Sequence, residues 1–261
     1  MPTSDRPHDR LRVERDGPLM TVTLDYPTRH NAQIPSLWIA LAEIGHNLPE
    51  DVRVVVIRGE GPSFSSGLDR AALTPGGVPG ERDLPTQALT AGDGLADEIA
   101  QYQEGFAIWR KVPAITVAAV QGHAIGAGFQ LALACDLRIV ADDVQFAMRE
   151  TSLGLVPDLT GTHPLVQLIG YSRALEVCLT GRSIGAQQAV DWGLASIKVP
   201  AAELAECTRD LADAVLSNNP NAVRELKALL RSAEVASPAQ QHLAERTAQA
   251  RLLSALVGSG E

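Results

Sequence analysis

Gly122-His123-Ala124-Ile125-Gly126-Ala127-Gly128-Phe129-Gln130 decides the reading of this chain. The apolar run Ala114-Ile115-Thr116-Val117-Ala118-Ala119-Val120 precedes it, and Leu131-Ala132-Leu133-Ala134-Cys135-Asp136-Leu137 follows. That order predicts a buried strand, a glycine turn and a helix packed through small residues. The first N–H groups of such a helix have no intrahelical acceptor and carry the positive end of its dipole. Glycine and alanine leave those groups uncovered, so an anionic atom can approach them. The segment reads as one half of an oxyanion hole.

A second unit with the same grammar lies upstream. Val52-Arg53-Val54-Val55-Val56-Ile57-Arg58 is a β-branched run, followed by Gly59-Glu60-Gly61-Pro62-Ser63-Phe64-Ser65-Ser66-Gly67-Leu68-Asp69. Either unit alone reads equally well as a tight turn. Two in this order can converge on one carbonyl oxygen.

These two segments resemble the paired signatures of the crotonase (enoyl-CoA hydratase/isomerase) superfamily. The resemblance extends through Met148-Arg149-Glu150-Thr151-Ser152-Leu153-Gly154-Leu155-Val156-Pro157-Asp158 and Gly161-Thr162. It includes the early Tyr26-Pro27-Thr28-Arg29-His30-Asn31-Ala32 and covers the chain from Leu11 onward. It implies an α/β fold, a spiral of repeated ββα turns with a C-terminal helical segment. It also implies a coenzyme A thioester as substrate, with no permanently bound cofactor.

Matched motif to motif, the resemblance makes the backbone N–H groups of Leu68 and Ala127 the oxyanion donors. Gly67, Gly126 and Gly128 would keep the approach open, with Gln130 and Pro157 beside the substrate. Hydratases of the family hold a water between two glutamates. Here Gln130 stands at the first position, and Glu150 matches the second. An amide can orient water but cannot serve as a general base near neutral pH. One carboxylate still suffices to move a proton from C2 to C4 of a 3-enoyl-CoA, so the favoured activity is double-bond isomerisation with Glu150 as acid/base. Apolar neighbours would raise its pKa toward the useful range.

Asp158 resembles the position of a catalytic aspartate in dienoyl-CoA isomerases and aryl-CoA dehalogenases; its other reading is a cap for the next helix. A hydratase using Glu150 with Asp158, and a non-catalytic acyl-CoA-binding protein, stay open as alternatives. Arg29 and Lys227 are the candidate contacts to coenzyme A phosphates. His123 and His163 read as structural. Ser65 and Ser66 lack a nucleophile-elbow pattern and an oriented His–Asp pair, so neither is assigned as a nucleophile.

Composition bounds the rest. A net charge of -9 in 261 residues argues against generic nucleic-acid binding, which needs a basic face. Hydrophobic content of 45% with only 4% aromatics predicts an aliphatic core. No run approaches the ~20 apolar residues of a membrane span. Three scattered cysteines in apolar contexts fit reduced thiols in the cytoplasm, and the six histidines show no metal-ligand spacing.

Residues 1–10 lack an apolar h-region and read as a flexible lead. Residues 11–200 read as the spiral core carrying the acyl-CoA site. Leu11–Leu24 should be a hairpin turning at Asp16-Gly17-Pro18, and Ser36–Asn47 and Leu95–Lys111 should be helices. The Ile99, Tyr102, Phe106 and Trp109 stripe of the latter reads as core. Thr74–Gly94 reads as a structureless insert acting as a mobile lid. A composition shift near Pro200 opens residues 201–261, with helices at Glu203–Leu216, Asn221–Ser232 and Ala239–Val257. By resemblance this part is an oligomerisation region, building a homotrimer or a dimer of trimers.

Overall fold

The computed structural model describes residues 3–258. It begins with β1 (Thr3–His8), β2 (Leu11–Asp16), β3 (Leu19–Leu24), α1 (Pro35–His46) and β4 (Val54–Gly59). Next come α2 (Leu84–Ala91), α3 (Leu95–Lys111), β5 (Ile115–Val120), β6 (His123–Ile125), α4 (Ala127–Leu133) and β7 (Leu137–Ala141). They continue as β8 (Gln145–Ala147), α5 (Thr162–Ile169), α6 (Tyr171–Thr180), β9 (Ile184–Gly185), α7 (Ala186–Asp191) and β10 (Ile197–Val199). Three helices follow: α8 (Leu204–Leu216), α9 (Pro220–Ala233) and α10 (Pro238–Gly258).

The main sheet has the order β1-β2-β3-β4-β5-β7-β10. Its first three strands pair antiparallel, and every pairing from β3 to β10 is parallel. Successive side chains of a strand face opposite sides of the sheet. Val54, Val56, Val117, Ala119, Ile139 and Ala141 pack with Leu204 and Ala212 of α8. Their neighbours Val55, Ile57, Ala118, Val120 and Val140 join the larger core with α1, α3 and α4. Both faces are covered, which explains why these strands read as unbroken apolar runs rather than alternating ones. A smaller sheet, β6-β8-β9, carries the glycine segment of α4.

Four expectations need correction. The lead is not free: Ser4 and Asp5 pair with Glu14 and Val13 to make β1 an edge strand. Backbone hydrogen bonds hold it, so its polar side chains gave no apolar signal. The 74–94 insert contains a capped helix, α2. Asp83 Oδ1 accepts from the Thr86 N–H at 2.8 Å and Oδ2 from the Gly76 N–H at 3.0 Å. The Asp83-Leu84-Pro85 string is a cap followed by a first-turn proline. The core does not stop near Pro200, because α8 completes one face of the sheet. Finally, the α3 stripe divides: Phe106 and Trp109 are fully buried, whereas Ile99 and Tyr102 face a cavity.

Candidate active site

The two glycine segments are joined directly. Ser65 N–H donates to His123 O at 2.8 Å, and Ile125 N–H donates back to Ser65 O at 3.0 Å. The Ser65 hydroxyl donates to Asn31 O at 2.8 Å and accepts from Gln33 Nε2 at 3.0 Å and Gly67 N–H at 3.1 Å. Ser65 is thus a splice rather than a nucleophile. Asn31 Oδ1 accepts from the Tyr26 N–H at 2.8 Å, while its Nδ2 donates to Ser63 O at 2.7 Å and Glu60 O at 2.9 Å. The early motif therefore clamps the loop after β4. The sequence reading gave Asn31 only as part of a motif, set Ser65 aside as a nucleophile and did not single out Gln33; their bracing roles rest on these tertiary bonds.

Gly67 adopts φ 83, where a side chain is strained. A Cβ there would strike the Ile125 carbonyl and lie 3.4 Å from Ala127 N, so the Leu68 loop runs against the start of α4. Among the described residues, neither the Leu68 nor the Ala127 N–H donates to a protein acceptor. Gly126, at φ 52, is the residue before α4, and a Cβ on it would meet Glu150 Oε1 at 3.3 Å. Gly128 serves packing instead: a Cβ there would lie 2.6 Å from Ser65 O. It is not on the cavity wall, contrary to expectation.

That wall encloses about 1140 Å³ and includes Gly67, Leu68, Gly126, Ala127, Gln130 and Glu150. Glu150 opens the 3-10 turn Glu150–Leu153 after β8. Its Oε1 accepts from Gln130 Nε2 at 2.8 Å, and its Oε2 is buried without a partner among the described residues. Burial pushes its carboxyl above the ordinary glutamate value; nearby backbone N–H groups and the Gln130 amide oppose this, and the Asp158 charge adds to it. Asp158 lines the same cavity. Partial enclosure raises its carboxyl too, although the residue still exposes surface. It is no helix cap, since α5 follows Gly161 without a side-chain cap.

Gln130 is 1% exposed, and both ends of its amide are engaged. Its Oε1 accepts from the N–H groups of Leu159 at 2.9 Å and Gly161 at 3.2 Å. One amide therefore holds the Glu150 carboxylate and the loop that carries Asp158. An ionised carboxylate at this position could accept from the loop but could not donate to Glu150.

Arg29 stands at the cavity rim with its side chain 61% exposed and 3.9 Å from Asp69. Pro157 does not reach the wall. Lys227 corrects the expectation of a phosphate contact. It is 8% exposed, donates to Ala114 O at 2.8 Å and Asp136 Oδ2 at 2.7 Å, and lines a separate cavity of about 960 Å³. Removing one partner of a buried pair exposes the cost of the other, so Lys227→Met should lose about 3 kcal/mol in denaturant unfolding.

Paired glycine turns meeting beside a half-buried glutamate define the class of site. The family model for enoyl-CoA hydratase/isomerase matches residues 14–257. The chain belongs to that family of acyl-CoA enzymes. It is 34% identical over 227 residues to carnitinyl-CoA dehydratases of Salmonella typhi and Escherichia coli K12, covering 86% of this chain and 81% of theirs. A candidate enoyl-CoA hydratase from Thermobifida fusca YX superposes with a TM-score of 0.91 at 47% identity, covering 96% of this chain and 95% of that one. That protein has also been solved with acetoacetyl-CoA; this complex has a TM-score of 0.90 at 48% identity, covering 94% and 95%.

Proposed function

We propose that this chain stabilises an acyl-CoA thioester enolate at the Leu68 and Ala127 N–H groups and shifts an enoyl-CoA double bond with Glu150 as the single acid/base. The observation that carries this reading is the division of labour at Glu150. One carboxylate oxygen is fixed by Gln130, and the other is buried and unpartnered. Oε2 takes the C2 proton of a 3-enoyl-CoA, electrons move onto the thioester oxygen, and the same carboxyl returns the proton to C4. Each N–H at the oxygen contributes about 3 kcal/mol in comparable sites. Gln130 is committed at both ends and takes no proton.

A second reading keeps one supporting observation: Asp158 shares the cavity and has a raised carboxyl. It would then supply the second carboxylate for hydration or dehydration, in line with the dehydratase relatives. Absorbance separates the two. A 3-enoyl-CoA gains the conjugated thioester signal under isomerisation, whereas a 2-enoyl-CoA loses it under hydration.

The base must be ionised, so activity falls as pH drops through the raised Glu150 value. Gln130→Leu removes a hydrogen bond that favours the charged form. The acid limb of kcat/KM against pH should therefore move to higher pH. The same variant leaves the Leu159 and Gly161 N–H groups unpaired, and stability should drop by about 1–3 kcal/mol.

Arg29 is our candidate for a coenzyme A phosphate contact, supported by its position on the rim. Exposed Leu226, Leu230, Leu243 and Leu253 on α9 and α10 support a homotrimer or dimer of trimers. The three unpaired cysteines support a cytoplasmic enzyme. No described helix is long and apolar enough to cross a membrane.

A further inference from the structure

The part of the cavity wall built by α2 and α3 is apolar at Leu84, Ala88, Leu95 and Ile99, yet it also carries Gln87 and Tyr102. Gln87 is 1% exposed. Its Nε2 donates to the Tyr102 hydroxyl at 2.6 Å and to the Glu98 carboxylate. Arg82 lies 3.5 Å from Glu98 and pairs with that carboxylate. The opposite amide orientation would set a carbonyl against Glu98, acceptor against acceptor, so the network fixes which end is which.

Two hydrogen-bonding valences remain. Gln87 Oε1 is buried and has no partner among the described residues. The Tyr102 oxygen receives the Gln87 N–H, and its own proton has no acceptor among the described residues. Buried polar groups left unpaired are costly and uncommon. Here a buried acceptor and a half-buried donor are unfilled on neighbouring side chains. A hydroxyl group donates and accepts at once, so one such group fills both.

The pair is separate from the proposed reacting centre, for it shares no hydrogen bond with Glu150 or Gln130. It is nonetheless fixed relative to that centre. Gln103, the next residue on α3, donates to Asp158 O at 2.7 Å. Trp38 packs edge-on against the Tyr102 ring, with centroids 5.5 Å apart, and holds the phenol in place.

We infer that Gln87 and Tyr102 form a specificity site for a hydroxyl group carried on the acyl chain beyond the carbons that react. The substrate class becomes a hydroxylated acyl-CoA rather than a plain hydrocarbon one. This rests on the acyl-CoA reading of the cavity, not on which reaction Glu150 performs.

The test is titration calorimetry with saturated straight-chain acyl-CoAs and their terminally hydroxylated counterparts of equal length. None has a reactive double bond, so affinity is read without turnover. At one chain length the hydroxylated member should bind about tenfold tighter, the worth of a well-made buried hydrogen bond. Tyr102→Phe keeps the ring and should bring that ratio close to one. No affinity gap at any length, or a gap that persists in Tyr102→Phe, would overturn the site. Failure of the wild type to bind any acyl-CoA would overturn it together with the acyl-CoA reading, a result distinct from loss of the hydroxyl effect alone.

Discussion

Glu150→Gln should lower kcat for enoyl-CoA isomerisation by about 10²–10⁴-fold, the usual contribution of a positioned general base. The substitution keeps the volume of the side chain and a group able to face Gln130. It removes the one function an amide lacks, which is taking a proton near neutral pH. The dissociation constant for a saturated acyl-CoA should change far less than kcat. That split separates loss of chemistry from loss of the pocket, because an interaction used only in the transition state affects the rate and spares ground-state binding.

The second large effect is expected at Gly67. Its backbone lies at φ 83, and a Cβ would collide with the Ile125 carbonyl where the two glycine segments meet. Gly67→Ala must therefore push the Leu68 loop away from the start of α4. Losing the alignment of one N–H donor costs about 3 kcal/mol of transition-state stabilisation, or roughly 10²-fold in rate. Backbone strain adds about 1–3 kcal/mol to the loss of folding stability. Comparing kcat with a thermal melt separates the parts: Gly17→Ala, at φ 57 in the β2–β3 turn with open space around it, should cost stability while sparing kcat.

What was legible in the sequence follows from which forces act locally. The parallel strands announced themselves because both faces of the sheet are buried, so Val54 to Ile57 and Val117 to Val120 had to be apolar throughout. The β2–β3 hairpin and the bounds of α3 were readable from turn residues and periodicity. Glu150 and Asp158 were found through motif position, and both lie on one cavity wall.

Roles set by distant partners were not legible. Gln130 reads as a lost carboxylate, yet its position depends on backbone N–H groups 29 and 31 residues away. Ser65 and Asn31 are defined by tertiary bonds to carbonyls that no local pattern signals. Lys227 reads in the sequence as a coenzyme A phosphate contact on a C-terminal helix; its burial is decided by Asp136, 91 residues earlier. Gln87 lay in a stretch rich in Gly and Pro that hid a capped helix.

The most direct test of a single-base enolate mechanism follows a 3-enoyl-CoA deuterated at C2, by absorbance and by mass, with wild type and Glu150→Gln. The expected result is a conjugated 2-enoyl product from the wild type, formed more slowly than from the undeuterated substrate, and the same product from Glu150→Gln only about 10²–10⁴-fold more slowly. Conjugation by Glu150→Gln at the wild-type rate, or a wild type that only adds water to a 2-enoyl-CoA, would contradict it.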